Sequence, residues 1–273
     1  MLEISNVMLA LSLTVIAGLA TGVGSLLAFF AKRTNTKFLS VSLGFSAGVM
    51  IYVSFMEILV EAKSHLVLAL GETKGSWAML GGFFGAVLFI ALIDKVVPKL
   101  ENPHEARCIE EMKEAPEAVI ADTKRLMNTG LYAAIAIAIH NFPEGIATFT
   151  STLQNPTLGI AIATAIVIHN IPEGIAVSVP IYFATGSKKK AFWYSFLSGI
   201  AEPVGALLAY LILMPILNDV VFGILFASVA GIMVFIAIDE LLPASREYGE
   251  PHLSLYGLLS GMAVMAVSLL LFI

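Results

Sequence analysis

The chain has 273 residues; 58% are hydrophobic, 13% are charged, and the formal net charge is −5 at pH 7. Soluble domains are about 45–50% apolar and about 25% charged, so this composition excludes an ordinary soluble domain. A mean hydropathy of +0.91 predicts an integral membrane protein, and nothing in the sequence predicts a nucleic-acid partner.

Apolar stretches long enough to cross a bilayer, which takes about 20 residues of helix, recur eight times with polar residues between them. The predicted spans are residues 5–31, 38–61, 77–98, 129–152, 158–183, 190–213, 219–242 and 253–273. We therefore expect an all-α, polytopic membrane protein whose eight transmembrane helices form one domain over residues 1–273.

The basic residues are distributed unevenly between the two sides of this predicted bundle. When the fifteen Lys and Arg residues are grouped by alternate connections, only Lys63 and Lys74 fall on one side. By the positive-inside rule, the connections that carry the other basic residues are cytoplasmic, and both termini are then extracytoplasmic. The first span has no basic n-region or cleavage site, so we expect a retained helix rather than a signal peptide.

One long hydrophilic stretch separates three spans from five. Residues 99–127 are rich in acids and are interrupted by Pro103 and Pro116, so we predict a mobile acidic loop on the cytoplasmic side. The alternative is a metal-sensing segment that uses His104 and its neighbouring acids. Cys108, the sole cysteine, lies in this loop and is predicted to be a passive reduced thiol.

A repeated hexapeptide is the strongest indication of function. The sequence reads HNFPEG from His140 to Gly145 and HNIPEG from His169 to Gly174. On a helix, the His and the Glu of each copy are four residues apart and share one face. The few residues between the fourth and fifth spans predict an antiparallel hairpin, which would bring both motifs level at the bilayer midplane.

Three carboxylates are predicted to lie at mid-membrane depth: Glu144, Glu173 and Glu202. Each charge there costs roughly 2.5–3.5 kcal/mol on insertion scales, and no Lys or Arg lies at that depth to balance it. Protons or metal must then supply the missing charge. One divalent ion would bring three carboxylates to −1 and two would bring them to +1, so metal binding explains the cost.

The residue types restrict which metal this would be. The four motif residues His140, Glu144, His169 and Glu173 supply nitrogen and oxygen ligands. Such ligands suit Zn²⁺, and also Fe²⁺, Mn²⁺ or Co²⁺. A neighbouring site richer in oxygen is suggested by Asn141, Asn170 and Glu202.

A proline lies beside each of the three acidic positions. Pro143, Pro172 and Pro203 each remove one backbone hydrogen bond from a helix. Broken helices at the midplane commonly mark the substrate site of a transporter. We therefore expect the helices to be broken at these prolines.

The hexapeptide pair, the sequence Ala201-Glu202-Pro203 in the next span and the division of eight spans into three plus five resemble the ZIP (Zrt/Irt-like protein) metal transporters, in particular their bacterial zinc-transporting members. The resemblance covers essentially the whole chain and is most specific in spans four to six. It implies a ZIP-like bundle in the bacterial cytoplasmic membrane, and a homodimer, since relatives often form one.

The resemblance also implies a binuclear metal site. In it, one metal is held by His140, Glu144, His169 and Glu173, and the second by Asn141, Asn170 and Glu202. Glu144 and Glu173 would bridge the two ions.

Residues outside the motifs are weaker candidates. Met50 matches a family position near the first metal, although a Met within a helix is often a packing residue, and Asp239 and Glu240 match an acidic position on the exit path. Glu57 and Glu61, toward the outer end of span two, are expected to attract cations to an entrance; the alternative is a solvated pair at the interface. We predict no metal role for the remaining polar residues considered, which are His65, Glu72 and His252.

We expect a transporter that imports Zn²⁺ into the cytoplasm and so serves metal homeostasis, with Fe²⁺, Mn²⁺, Co²⁺ or Cd²⁺ as other candidate ions. The metal is bound as substrate, and no catalytic cofactor is predicted. A metal-selective channel is the alternative that would use the same ligands. A membrane enzyme with a two-metal centre is a less favoured alternative, because the repeat is accompanied by no HExxH motif and no evident nucleophile; the chain is not predicted to be an enzyme.

Overall fold

The computed structural model describes residues 4–30, 36–96, 116–248 and 251–271. These residues form eight long helices, and the described part of the chain contains no strand. In chain order the helices are α1 (Ile4–Phe30), α2 (36–70), α3 (Glu72–Val96), α4 (Pro116–Gln154), α5 (Pro156–Thr185), α6 (Lys188–Ile216), α7 (219–248) and α8 (Pro251–Leu271). The all-α fold is confirmed, and each helix corresponds to one predicted span.

Seven of the eight helices are long and apolar enough to cross a membrane, by length and composition. The remaining helix, α4, is 39 residues long and includes the fourth predicted span. Large apolar side chains are exposed on the outer faces; Trp77, Leu88 and Leu92 of α3, for example, are 71%, 65% and 63% exposed. An exposed apolar surface of this extent indicates a protein embedded in a membrane.

The second helix is longer than the sequence predicted. α2 continues past the predicted end at residue 61 to Leu70, so Lys63 and His65 lie on the helix rather than in a connection. Residues 59–70 are mostly good helix formers, and the helix ends only where Gly71 adopts a φ of 82°. That left-handed conformation carries little steric cost for glycine, which is why it terminates helices.

The loop predicted at 99–127 is in part helical. α4 begins at Pro116, so the prediction of a mobile linker was wrong for residues 116–127. Proline suits the first position of a helix because its nitrogen needs no partner there and its φ is already helical. Residues 99–115, which include His104 and Cys108, lie outside the described residues.

The predicted helix breaks at the prolines are only partly observed. Pro143 and Pro172 lie inside continuous helices, so the expected breaks are absent from α4 and α5 as described. In α6, one helical segment ends at Gly199 and the next begins at Ala201, in the turn before Glu202.

Irregularity occurs instead as single π-helical turns. They lie in α2 (Ser54–Ile58), α6 (Ala209–Leu213) and α7 (Ala237–Leu241). Such turns are rare in proteins, and those that occur are often found at functional sites. Two of the three contain predicted pathway acids, namely Glu57 in α2 and the pair Asp239 and Glu240 in α7.

The helices pack in two groups. α1, α4, α5 and α6 pack against one another, and α2, α3, α7 and α8 form the second group. The main contact between the groups is α2 against α5, with a smaller contact of α4 against α7. At the first of these contacts Ser46 Oγ donates to the His169 carbonyl, 3.3 Å away. The second hexapeptide therefore lies where the two groups meet.

Candidate metal centre

The hairpin of α4 and α5 brings the two hexapeptides together. Only Asn155 separates the helices, and its side chain caps α5 by accepting from the backbone nitrogens of Thr157 and Leu158. The imidazole centroids of His140 and His169 lie 6.2 Å apart with their planes at 88°, and both side chains are buried. The sequence was right that the two motifs come level.

Four side chains form the centre of the site. His140 Nε2 lies 3.2 Å from Glu144 Oε1 and 3.3 Å from Glu173 Oε1, and His169 Nε2 lies 3.2 Å from Glu144 Oε1. Two ligands of one tetrahedral zinc, at bond lengths of about 2.0–2.1 Å, are about 3.3–3.4 Å apart. The observed separations are therefore those of ligands sharing an ion, and Glu144 reaches both imidazoles.

The direction of the contacts around His140 also favours a metal, whereas His169 Nε2 makes a hydrogen bond with Glu144. Among the described residues, His140 Nε2 and both carboxylate oxygens of Glu173 have no hydrogen-bond partner, although His140 Nε2 is close to two carboxylates. The carboxylate oxygens are therefore close to His140 Nε2 but not in line with its N–H bond, so they do not accept a hydrogen bond from it. Buried nitrogen and oxygen atoms are nearly always satisfied, and one cation between them would satisfy all three. Ligand atoms of His140, His169 and Glu173 lie within 4.8 Å of one another.

A second set of polar atoms lies beside the first. Asn170 Nδ2 donates to the Ala17 carbonyl at 3.0 Å and makes a short hydrogen bond to Glu202 Oε1, while Asn141 Nδ2 donates to the Ser198 carbonyl at 3.4 Å. Three oxygens of this second set, Asn141 Oδ1, Asn170 Oδ1 and Glu202 Oε2, have no hydrogen-bond partner within the described part of the chain. These are all acceptors, and an oxygen-rich set of acceptors suits a harder divalent cation.

The three carboxylates of the site are buried with little compensating charge. Glu144, Glu173 and Glu202 are 0%, 1% and 0% exposed. In the described structure, the ion-pair partners of Glu144 and Glu173 are His140 and His169, with no Lys or Arg. A buried charge without a full partner is strongly destabilising, so the arrangement favours a divalent cation.

The last residue of each hexapeptide allows a helix to approach closely. A Cβ at Gly145 would collide with the backbone carbonyl of Glu202, and a Cβ at Gly174 would collide with that of Thr21. Gly145 thus brings α4 against the turn of α6 that carries Glu202, and Gly174 brings α5 against α1. These roles were not predicted from the sequence, although both copies of the hexapeptide end in glycine, which was a usable signal.

The whole chain matches a known family. The family model described as ZIP zinc transporter matches residues 6–269. The chain belongs to the ZIP zinc transporter family. It is 66% identical over 268 residues to the protein named zinc transporter ZupT from Lysinibacillus sphaericus, covering 98% of this chain and 99% of the relative.

Other relatives with the same name support the ZIP assignment. The ZupT of Oceanobacillus iheyensis is 65% identical over 266 residues, covering 97% of this chain and 98% of the relative. The ZupT of Nitratidesulfovibrio vulgaris is 60% identical over 277 residues and covers 100% of both chains. The resemblance inferred from the hexapeptide pair is confirmed.

Helix α2 borders the centre of this ZIP protein. Met50 is fully buried and lies one turn after Ser46, the residue that bonds to the His169 carbonyl. The structure thus places Met50 on the helix face that meets α5, and its role as a ligand stays a prediction. Ser46 was missed by the sequence analysis, because a single serine in an apolar helix carries no motif.

A threonine of α4 was also missed. Thr148 lies one turn after Glu144 and is fully buried, and its hydroxyl has no hydrogen-bond partner among the described residues. The other hydroxyls of this stretch, Thr150, Ser151 and Thr152, all donate to carbonyls of their own helix. Thr148 alone of the four retains a free hydroxyl on the face of α4 that carries Glu144.

The remaining candidates do not join the centre. Glu57 is half-buried in the π turn of α2, and Asp239 and Glu240 lie in the π turn of α7. Their roles as pathway acids stay predictions. Glu72 pairs with Lys63 at 3.2 Å on the exposed surface.

Proposed function

We propose that this ZIP protein imports Zn²⁺ into the cytoplasm through a binuclear centre between α4, α5 and α6. The observation that carries the proposal is the buried set of imidazoles and carboxylates at the spacing of zinc ligands. The relatives named zinc transporters, at up to 66% identity over nearly the full chain, support zinc as the substrate.

In this proposal the ligands divide into two sets. The first Zn²⁺ is held by His140, Glu144, His169 and Glu173, and the second ion by Asn141, Asn170 and Glu202. Glu144 is the favoured bridge because it approaches both imidazoles, and Glu173 is the second bridge. The oxygen-rich set would also accept Fe²⁺, Mn²⁺ or Co²⁺, so zinc need not be the sole substrate, and Cd²⁺ is a further candidate ion.

Transport would proceed by ligand exchange. A hydrated ion enters from outside past Glu57 and Glu61, loses water to the buried ligands, and leaves toward Asp239 and Glu240. Met50, on the neighbouring face of α2, would contribute a soft thioether to the first site. Since imidazole and carboxylate ligands must be deprotonated to bind metal, binding should weaken in acid.

The location and orientation follow from charge and family. We place the protein in the bacterial cytoplasmic membrane with both termini extracytoplasmic, because the basic connections mark the cytoplasmic side. The acidic segment 99–127 is then cytoplasmic. A homodimer is a further expectation from the family resemblance. We propose a transporter and not an enzyme, since the relatives are named transporters.

Uptake of ⁶⁵Zn into proteoliposomes tests the proposal. Wild type should accumulate zinc, and the Glu144→Ala, Glu173→Ala double variant should not, because it removes two carboxylates that contact the imidazoles. His252→Ala, at an exposed position of α8, is the control and should transport as wild type does. A wild-type protein that binds zinc and passes none, over a range of gradients and pH, would contradict the proposal.

The same vesicles distinguish a carrier from a channel. A carrier should saturate at low zinc concentration and turn over slowly, because each ion waits for a rearrangement. A channel must bind weakly enough to release ions rapidly and should conduct without such saturation.

A further inference from the structure

A second histidine–carboxylate group lies far along α2 from Ser46, outside the centre described above. We name Glu61, His65 and Asp219 the outer cluster. His65 Nδ1 lies 2.7 Å from Asp219 Oδ1, and His65 Nε2 lies 3.3 Å from Glu61 Oε1. The cluster joins the last turns of α2 to the first residue of α7.

The two carboxylates have different relations to the imidazole. The 2.7 Å contact of Asp219 is that of a strong hydrogen bond, which Nδ1–H donates. In the tautomer that donates from Nδ1, Nε2 carries the lone pair and faces Glu61, and a bound ion would replace the hydrogen bond that Nε2 and Glu61 make without it. A carboxylate that accepts from one ring nitrogen while the other binds an ion is the usual arrangement around metal-ligating histidines.

The spacing of His65 and Glu61 matches that of the buried centre. Their Nε2–Oε1 distance is 3.3 Å, compared with 3.2 Å for the pair His140 and Glu144. In both pairs the residues are four apart on a helix. About 3.3–3.4 Å is also the separation of two ligands on one tetrahedral ion.

The surroundings hold the imidazole in place. The His65 ring lies 4.4 Å from the ring of Phe222, which stacks on Phe226 at 4.1 Å, and both phenylalanines are fully buried. Asp219 begins α7 directly after Asn218, whose side chain accepts from the backbone nitrogens of the first turn. Ligands positioned in this way need little ordering when an ion binds.

The outer cluster is open to water and carries excess negative charge. The side chains of His65, Glu61 and Asp219 are 15%, 33% and 45% exposed. Glu57 lies one turn deeper along α2. Within the described part of the chain, the nearby cation Lys63 is paired with Glu72 at 3.2 Å, so water and acids are left to complete a coordination shell.

We infer that the outer cluster binds a divalent metal ion of the Zn²⁺ and Co²⁺ class, with His65 Nε2 and the Glu61 carboxylate as ligands. Asp219 is a positioning residue that orients His65, and water fills the remaining positions. Two protein ligands make a weaker and faster-exchanging site than the four of the buried centre, as suits capture from solution. Binding here does not depend on transport through the buried centre.

Equilibrium dialysis of the purified full chain with Co²⁺ tests the site. All variants are made in the Glu144→Ala, Glu173→Ala background protein, in which the proposed transport is lost. Metal binding at the outer cluster is then measured independently of transport through the buried centre, so either proposal can be wrong without the other. This protein should bind one weak Co²⁺ that disappears in Glu61→Gln and in His65→Gln. Asp219→Asn should weaken it by about 10–100-fold, the usual effect of losing a partner behind a ligand.

The control is the Lys63→Gln, Glu72→Gln double variant, which removes the exposed ion pair nearby without leaving a free lysine and should leave this Co²⁺ in place. Thermal unfolding with a chelator verifies that each variant is folded, and the comparison uses those that unfold as the background protein does. Equal Co²⁺ binding in the background protein and in a folded Glu61→Gln or His65→Gln variant would overturn the inference. So would an equal loss in the double variant, which would show that Co²⁺ binding does not depend specifically on Glu61 and His65.

Discussion

Glu202→Gln is expected to stabilise the metal-free protein. The Glu202 carboxylate is fully buried, its Oε1 accepts from Asn170, and Oε2 has no hydrogen-bond partner among the described residues. An ionised carboxylate at this depth costs roughly 2.5–3.5 kcal/mol. The amide removes that charge and keeps an acceptor for Asn170. Without metal, and at a pH at which the Glu202 carboxyl is ionised, the variant should therefore be more stable than wild type, by up to about 3 kcal/mol.

Zinc should reverse this order. If Glu202 is a ligand of the second ion, the amide removes its anionic oxygen and the second site empties. A site filled at 100 times its Kd stabilises the folded state by about 2.7 kcal/mol, and the variant would lose about that much of the zinc response. Bound zinc in the buried centre should fall from two ions to one.

The assay is unfolding in detergent, followed by the fluorescence of the two tryptophans, Trp77 and Trp193. Each protein is measured with chelator and with zinc, and dialysis counts the bound ions. Glu72→Gln is the matched control and should change neither quantity. A Glu202→Gln protein that is less stable than wild type without metal, and that keeps the full zinc response, would refute the assignment. Glu202 would then be a structural acceptor only.

Three further predictions follow from the geometry. Gly145→Ala should destabilise the fold by about 1–3 kcal/mol, because its Cβ meets the carbonyl of Glu202. Gly81→Ala, with nothing within 4 Å, should not destabilise it and should add up to about 1 kcal/mol in the same unfolding assay, because Ala has the higher helix propensity. Thr148→Val should slow ⁶⁵Zn uptake, since its hydroxyl is free on the face of Glu144, while Thr150→Val should not; equal rates in both would remove Thr148 from the pathway. Zinc binding measured by dialysis should weaken as the pH falls, because protons compete for the ligands, and a pH-independent affinity would contradict ligation by imidazole and carboxylate.

The candidate centre was predictable to the extent that it is encoded by spacing. His140 and His169 each precede a glutamate by four residues, and the short connection between their helices forces the hairpin that brings them level. Residues without a repeating pattern were not predictable. Thr148 is one hydroxyl in a run of several, and only the structure shows that its neighbours donate to their own helix while it does not.

The helix boundaries illustrate a different limit. Hydropathy locates the apolar part of a helix, but α2 continues to Leu70 through Lys63 and His65, and α4 starts at Pro116 ahead of its apolar part. Polar residues continue a helix whenever their propensity permits it, so the ends are set by Gly71 and Pro116 and not by hydropathy. The extension of α2 forms the outer cluster, because it carries His65 to Asp219.

Pro143 and Pro172 remove backbone donors from helices that nevertheless continue past them. Each leaves a carbonyl four residues earlier, at Ile139 and Ile168, without its usual partner. Those carbonyls directly precede the two histidines of the centre. In α6 the regular α-helix is interrupted at one residue, Ile200. Glu202 lies in the first turn of the helical segment that follows. Ile200 nevertheless keeps a helical φ and ψ, its N–H bonds to Phe196 and its carbonyl accepts from Val204. This position is therefore not a helix start that could stabilise a negative charge, and a bound ion is left to balance the buried charge of Glu202.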